Sequence, residues 1–320
     1  MDNKINVKLL SMAGQGGSAF GISLMELMKE RDDIIVLSAD MSTPAGLDKL
    51  KAEYPDHFMN VGIAEQNMIG IAAGLANEGF RVICVAQACF ITMRCFEQIR
   101  QYTGYMGIPL ILVGVGSGLS LQYMGNTHYA LEDIALMRTI PNMTVMAPCD
   151  SLEAMKALEC AVYSNDATYI RFFGGTNIPA VHQSDIVYAN NKTITLRVGK
   201  DVSILAYGTM VKQALQVADA LSNQGIECDV IDVHIIKPFD DTIFNLFNDK
   251  KLVVTIEEHR PTGGLASVVS KGMKMKQIST KLLNIGVETN YPIPGSYSYL
   301  LDQCGLSVDK IFNSIINNIK

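Results

Sequence analysis

Glu65 is the only carboxylate between Asp56 and Glu78, and it opens onto Met68-Ile69-Gly70-Ile71-Ala72-Ala73-Gly74-Leu75-Ala76. Small residues at nearly every turn suit a helix packed closely on all sides. A carboxylate at the start of such a helix sits where water is scarce. Desolvation disfavours its charged form, so its pKa is expected to rise toward a range useful for proton transfer. The residues alone leave a second reading open, a helix-start glutamate held by free backbone N–H groups. Further on, Gly114, Gly116, Gly118 and Gly125 make the segment Gly114 to His128 too glycine-rich for a buried helix. It follows an apolar run, a placement that suits a substrate loop at the carboxyl end of a parallel strand. It is not a phosphate cradle, since it holds neither a P-loop pattern nor a correctly placed GxGxxG.

The elements that must position these groups are legible as alternating short apolar runs and helical segments, the signature of parallel α/β layering. A helix is expected over Ala19 to Glu30, then strands at Ile34 to Ser38, Arg81 to Ala86, Pro109 to Val115, Thr144 to Ala147 and Thr168 to Phe172. Further helices are expected over Glu65 to Asn77, Met93 to Tyr102, Leu131 to Thr139 and Ser151 to Tyr163. Periodicity fails from Gly174 to Lys192, where Gly, Pro, Asn and His gather, and this stretch reads as the linker. A second α/β set follows, with strands at Val202 to Tyr207, Cys228 to Val233, Leu252 to Glu257 and Leu283 to Ile285. Its helices are expected over Val211 to Asn223 and after Gly264. The fold class is therefore α/β, two parallel-sheet domains spanning 1–180 and 190–320.

A chain of 320 residues, 48% hydrophobic, is long enough for two such cores. A net charge of −6 argues against nucleic acid and anionic membrane as principal partners. The opening MDNKINVKLLSM is too short and polar for a signal peptide, and no apolar run reaches membrane-spanning length. Seven cysteines, Cys84, Cys89, Cys95, Cys149, Cys160, Cys228 and Cys304, are scattered without CxxC spacing. They read as reduced, mostly core residues of a cytoplasmic protein, and no metal-ligand set is expected in this chain.

The run NVGIAEQNMIGIAAGLA resembles the pyrimidine-domain signature of the transketolase family of thiamine diphosphate enzymes. FEQIR at Phe96 to Arg100, THYALEDIALMR at Thr127 to Arg138, IPNMTV at Ile140 to Val145 and EEHRPTGGLASVV at Glu257 to Val269 match the same family in the same order. The resemblance covers essentially the whole chain. It implies a pyrimidine-binding domain followed by a transketolase C-terminal domain. It also implies that Glu65 hydrogen-bonds N1′ of the cofactor's aminopyrimidine and serves as the catalytic acid/base that activates it. Phe90 falls at the place of the aromatic wall for that ring. His128, in Thr127-His128, matches the histidine that contacts the donor ketose and can donate or accept at a reacting oxygen. Asp40 matches a motif near the cofactor and equally fits a turn cap. Arg94 is either a substrate-channel residue or a helix-surface arginine. The cluster around His259 reads as structural or interfacial.

Departures from the family pattern bear on substrate. Met124 stands three before Thr127, where the family places an acidic reader of a donor hydroxyl, and Gly174 stands where it places a phosphate-gripping arginine. Both argue against an ordinary pentose phosphate. The family's Gly-Asp-Gly motif, whose Asp joins a later Asn in holding Mg²⁺ between the phosphates, occurs nowhere in the chain. The resemblance thus implies the small half of a split transketolase, inactive alone. It would need an N-terminal diphosphate-binding partner subunit, in an α2β2 heterotetramer, to supply the Mg²⁺ and diphosphate ligands. The donor would be a small-molecule ketose or 2-oxo acid. Alternatives are acyl transfer from pyruvate of the deoxyxylulose-phosphate-synthase kind, a 2-oxoacid dehydrogenase β-type subunit, and a non-catalytic scaffold that kept the fold.

Overall fold

In a computed structural model, which describes residues 14–175, 178–188, 192–288 and 291–319, the apolar runs become the strands of two sheets. The strands are β1 (Ile34–Ser38), β2 (Phe58–Asn60), β3 (Arg81–Gln87), β4 (Ile111–Val115), β5 (Met143–Met146), β6 (Ala167–Phe172), β7 (Ile194–Arg197), β8 (Val202–Ala206), β9 (Cys228–Asp232), β10 (Ile235–Lys237), β11 (Leu252–Ile256) and β12 (Leu282–Ile285). The first sheet runs β10-β5-β6-β4-β3-β1-β2 and the second β12-β11-β8-β9-β7. Central strands β4 and β6 are buried along their whole length, as strands covered by helices on both faces must be.

The helices are α1 (Phe20–Met28), α2 (Asp48–Glu53), α3 (Glu65–Asn77), α4 (Phe96–Ile99), α5 (Asp133–Thr139), α6 (Ser151–Tyr163), α7 (Met210–Ser222), α8 (Leu265–Met275), α9 (Tyr297–Gln303) and α10 (Val308–Ile319). α3 and α6 have the bounds their patterns predict. α6 starts where it does because the Asp150 side chain accepts the Glu153 N–H, an N-cap bond worth about 1 kcal/mol.

Three expectations need correction. The sheets are not wholly parallel: β10 runs antiparallel to β5, and β7 antiparallel to β9. Both are three- or four-residue edge strands, too short to show a period in sequence. The expected helix Met93 to Tyr102 is broken into α4 flanked by wide π-type turns at Phe90–Arg94 and Arg100–Tyr105. Thr92 Oγ1 and Thr103 Oγ1 each donate back to a carbonyl four residues earlier, at 2.6 and 2.7 Å, which competes with the regular helix ladder. Gly114, counted both in the strand Pro109 to Val115 and in the glycine-rich loop, is a buried residue of β4, so the loop begins after it. Of the linker Gly174 to Lys192, residues 176–177 and 189–191 lie outside the described residues. Among the described residues no helix is long and apolar enough to cross a membrane.

The topology of the first sheet positions the candidate site. β2, β1, β3 and β4 are neighbours in parallel register, so their carboxyl ends lie along one edge. Asn60 ends β2, and Asp40, Phe90 and the loop leading to His128 follow the ends of β1, β3 and β4.

Candidate active site

Glu65 is the first residue of α3 and only 3% exposed. Its Oε2 receives Nη1 of Arg94 at 2.7 Å, while Oε1 has no hydrogen-bond partner among the described residues. Arg94 is the last residue of the π-type turn Phe90–Arg94, and that turn folds its guanidinium back over the ring of Phe90, 4.2 Å from the centroid. On Phe90 the His128 ring packs edge-on, centroids 5.4 Å apart. Thr127 Oγ1 lies 2.9 Å from His128 Nδ1, which leaves Nε2 unengaged among the described residues. The structure therefore joins Glu65, Arg94, Phe90 and His128 in one contiguous chain of contacts.

Asp40 is attached from the other side. Its φ is +55°, an uncommon conformation for a residue with a side chain, and a short polar residue tolerates it best. The Asp40 N–H donates to Asn60 Oδ1 at 3.1 Å, and the same oxygen accepts the Gly62 N–H at 3.0 Å. Asn60 Nδ2 returns a long bond to Asp40 Oδ1 at 3.4 Å. Asn60 thereby clamps the turn after β1 to the loop that delivers Glu65. Sequence reasoning missed that role, although Asn60 stands inside the recognised run. It also missed Gln66, whose Nε2 donates to the Arg94 carbonyl at 3.1 Å.

Met124 is not brought into this group. It ends the turn Gln122–Met124, is 52% exposed, and shares no polar contact with the other four among the described residues. Gly174 is buried against the glycine-rich loop: its N–H donates to Ser120 Oγ at 3.2 Å. A Cβ there would lie 3.0 Å from the Gly116 Cα and 3.1 Å from Ser120 Oγ. A side chain at that place would press on the loop, which would have to give by a few tenths of an ångström. Gly118, with φ +59°, has no room for a Cβ, since Glu258 Oε1 would be 2.5 Å away.

Behind the site lies a buried ionic network that fastens the two halves. Asp133 Oδ2 accepts Tyr169 Oη and Arg171 Nε, both at 2.8 Å, and Arg171 also donates to the Glu258 carbonyl at 2.9 Å. Glu257 accepts the N–H groups of Leu265 and Ala266 at the start of α8, at 2.8 and 2.9 Å. Burial nevertheless pushes the Glu257 carboxyl up to about 7. His259 Nδ1 donates to the Arg260 carbonyl at 2.6 Å and Nε2 accepts the Ala135 N–H, a pair of partners that selects the neutral Nδ1–H tautomer. Burial, with help from nearby Arg171, depresses its pKa to about 4. His259 is thus held neutral inside the chain, away from Glu65.

Comparison with known proteins gives this geometry a family. Residues 15–173 match the family described as transketolase, pyrimidine binding domain, and residues 191–311 that described as transketolase, C-terminal domain. A putative transketolase C-terminal section from Methanocaldococcus jannaschii is 32% identical over 322 residues, covering 98% of this chain and 99% of that one. One of the subunits of an apulose-4-phosphate transketolase, from Phocaeicola vulgatus, is 30% identical over 304 residues, with 94% and 96% covered. A solved structure described as a split gene transketolase, inactive beta4 tetramer, superposes with a TM-score of 0.85 at 31% identity, over 94% of this chain and 97% of the other.

Proposed function

Because this chain belongs to the transketolase family, we propose that it is the pyrimidine-binding subunit of a two-component, thiamine diphosphate-dependent ketol transferase. The observation that carries the reading is the half-engaged Glu65. Its carboxyl is buried, with one oxygen on Arg94 and the other without a partner among the described residues. A hydrogen-bonding atom of a ligand would complete it. Gln87 Oε1, at the end of β3, is buried without a partner among the described residues and offers an acceptor to an amino group. Together with the ring of Phe90, these groups fit an aminopyrimidine. Bound there, thiamine diphosphate would supply a thiazolium carbon able to attack a ketose carbonyl.

The chain's own residues would then do four things. Glu65 Oε1 would hold and exchange the proton at the pyrimidine N1′. Phe90 would wall the pyrimidine, once Arg94 gives up the ring face it now covers. His128, its Nδ1 side fixed by Thr127, would present Nε2 to an oxygen of the donor. Asp40 and Asn60 would keep the Glu65 loop in register with the strand ends. The diphosphate and its Mg²⁺ would be held by a partner subunit in an α2β2 assembly of the cytoplasm. Relatives named as a C-terminal section and as one subunit of a transketolase support that division of labour. We take 1–180 and 190–320 as the two domains of the subunit.

Met124 and Gly174 also favour a second reading, acyl transfer from pyruvate, because neither place offers a reader for a sugar hydroxyl or phosphate. One experiment separates these readings: the chain is co-expressed with its diphosphate-binding partner and assayed with ketose phosphates, free ketoses and pyruvate. Ketol transfer by the pair and none by either chain alone is expected. Activity of the isolated chain, or turnover of pyruvate only, would overturn the proposal.

A further inference from the structure

A second cluster of chemistry-bearing residues lies at the junction of the two sheets, apart from Glu65. Cys149 follows β5, Glu153 lies in the first turn of α6, His182 sits in the connecting segment, and Asp232 ends β9. All four are buried, and one donor atom from each, a thiol sulfur, an imidazole nitrogen and two carboxylate oxygens, lies within 4.8 Å of every other. His182 Nε2 is 3.6 Å from Cys149 Sγ, 3.3 Å from Glu153 Oε1 and 3.8 Å from Asp232 Oδ2. Zinc bonds of about 2.0–2.3 Å put tetrahedral donors roughly 3.3–3.8 Å apart, so these spacings already suit one ion.

Two further observations point the same way. Glu153 Oε1 and both oxygens of Asp232 are fully buried and make no hydrogen bond among the described residues, although the rings of His182 and His234 approach Glu153 Oε1 to 3.3 and 3.7 Å and His182 approaches Asp232 Oδ2 to 3.8 Å. Such groups cost several kcal/mol unless something compensates them, and a cation does. The surroundings also hold the donors in place. Glu153 Oε2 is occupied by the Cys149 N–H at 2.7 Å, which turns Oε1 toward the cluster. Asp150 Oδ2 accepts the N–H groups of Val181 and His182, both at 2.9 Å, and so ties the connecting segment to the start of α6. Outer partners of this kind orient metal ligands. Cys149 also lines a cavity of about 520 Å³ with Gly174, Lys212 and Tyr297, which provides a way in.

We propose that Cys149, Glu153, His182 and Asp232 form a closed, four-coordinate site for a zinc-like divalent ion that staples the first sheet, the connecting segment and the second sheet together. A thiolate, an imidazole and two carboxylates are the mixed soft and hard set that zinc accepts and magnesium does not. Four protein ligands leave no open position, so the ion is structural. The sequence reading, which expected no metal ligands and assigned Cys149 to the core, had no signal for it: only the spacing from Cys149 to Glu153 is local.

The test uses the full chain, purified from zinc-supplemented cells, with metal content measured by mass spectrometry. About one zinc per chain is expected, retained through dialysis as structural zinc sites are. Substitution by Co²⁺ should give a thiolate-to-metal absorption band near the ultraviolet edge, lost in Cys149→Ser, while His182→Asn weakens binding at least about tenfold. Should those variants fail to fold, the wild-type chain decides alone: a chelator should lower its melting temperature and zinc restore it. A folded wild-type chain that carries no stoichiometric zinc and neither binds Co²⁺ nor shifts its melting temperature with either metal would overturn the proposal. So would a cobalt band that survives in Cys149→Ser.

Discussion

Arg94 Nη1 lies 2.7 Å from Glu65 Oε2, and the same guanidinium covers the ring of Phe90 at 4.2 Å. One side chain therefore touches both the proposed acid/base and the proposed pyrimidine wall. In sequence Arg94 fitted a channel residue and a helix-surface residue equally well. The π-type turn brings its guanidinium back over residue 90.

That contact has a measurable consequence. If Arg94 occupies ring surface the cofactor needs, Arg94→Gln should strengthen thiamine diphosphate binding in the assembled pair by about 2- to 5-fold, the worth of one exposed cation–π contact. Isothermal titration measures it. Weaker binding would mean that Arg94 stays in place and helps to hold the cofactor.

His128 is expected to act on donor alone. His128→Ala should lower kcat/KM for the donor by about 10²-fold or more, as loss of a positioned acid–base group does. Cofactor affinity should change little, because the Phe90 ring remains. Equal losses in both would show that His128 instead supports the pocket through its edge contact with Phe90.

The pH dependence of stability tests the buried network. His259 has its folded-state pKa depressed to about 4 from an ordinary 6.5. Its contribution to stability is full above pH 6.5 and is lost as the pH falls toward 4, because the unfolded chain then binds a proton that the folded one refuses. Over that window the stability gap between wild type and His259→Gln should narrow, at a rate of at most about 1.4 kcal/mol per pH unit. Glu257, raised to about 7, works in the opposite sense: its contribution is present at low pH and shrinks as the pH rises toward 7. Because His259 Nδ1 lies 3.8 Å from Glu257 Oε2, the comparison is made in a Glu257→Gln background, which removes that carboxyl from both proteins. Urea titrations at pH 4.5, 5.5 and 7 are the measurement, and a constant gap would show that His259 titrates normally.

Substrate choice should reflect the two departures from the family pattern. Gly174 is packed on the loop at Gly116 and Met124 is exposed, and neither offers a charged or hydrogen-bonding side chain to a phosphate or a hydroxyl. A site without such readers gains little from the groups they would have read. The assembled enzyme should therefore discriminate weakly between a ketose phosphate and the free ketose, by less than about tenfold in kcat/KM. A strong phosphate preference that survives mutation of every basic residue of the partner would place the phosphate site in this chain.

Much of this was legible beforehand. The strand runs at Ile34 to Ser38 and Thr168 to Phe172 declare themselves because both faces are buried and β-branched and aromatic residues dominate. α3 was readable because Glu65 opens a run of small, apolar residues. The missing parts share a cause: each depends on contacts distant in sequence. β10 joins the first sheet only once β9 has carried the chain back beside β5. The Asp133–Arg171–Glu257–His259 network spans more than a hundred residues and has no local spacing. The broken helix after Phe90 turns on two threonine hydroxyls, which propensity scores simply as poor helix formers.

In the proposed reaction catalysis depends above all on Glu65, and exchange of the C2 proton of thiamine diphosphate for deuterium tests that role most directly. It is to be followed by NMR in the assembled pair, wild type against Glu65→Gln. The amide can still hydrogen-bond the pyrimidine but cannot exchange its proton. Intact folding and assembly are expected, with exchange slowed by about 10²- to 10⁴-fold. Exchange as fast in Glu65→Gln as in the wild type would contradict that role, and would leave Glu65 as no more than the partner of Arg94 at the start of a buried helix.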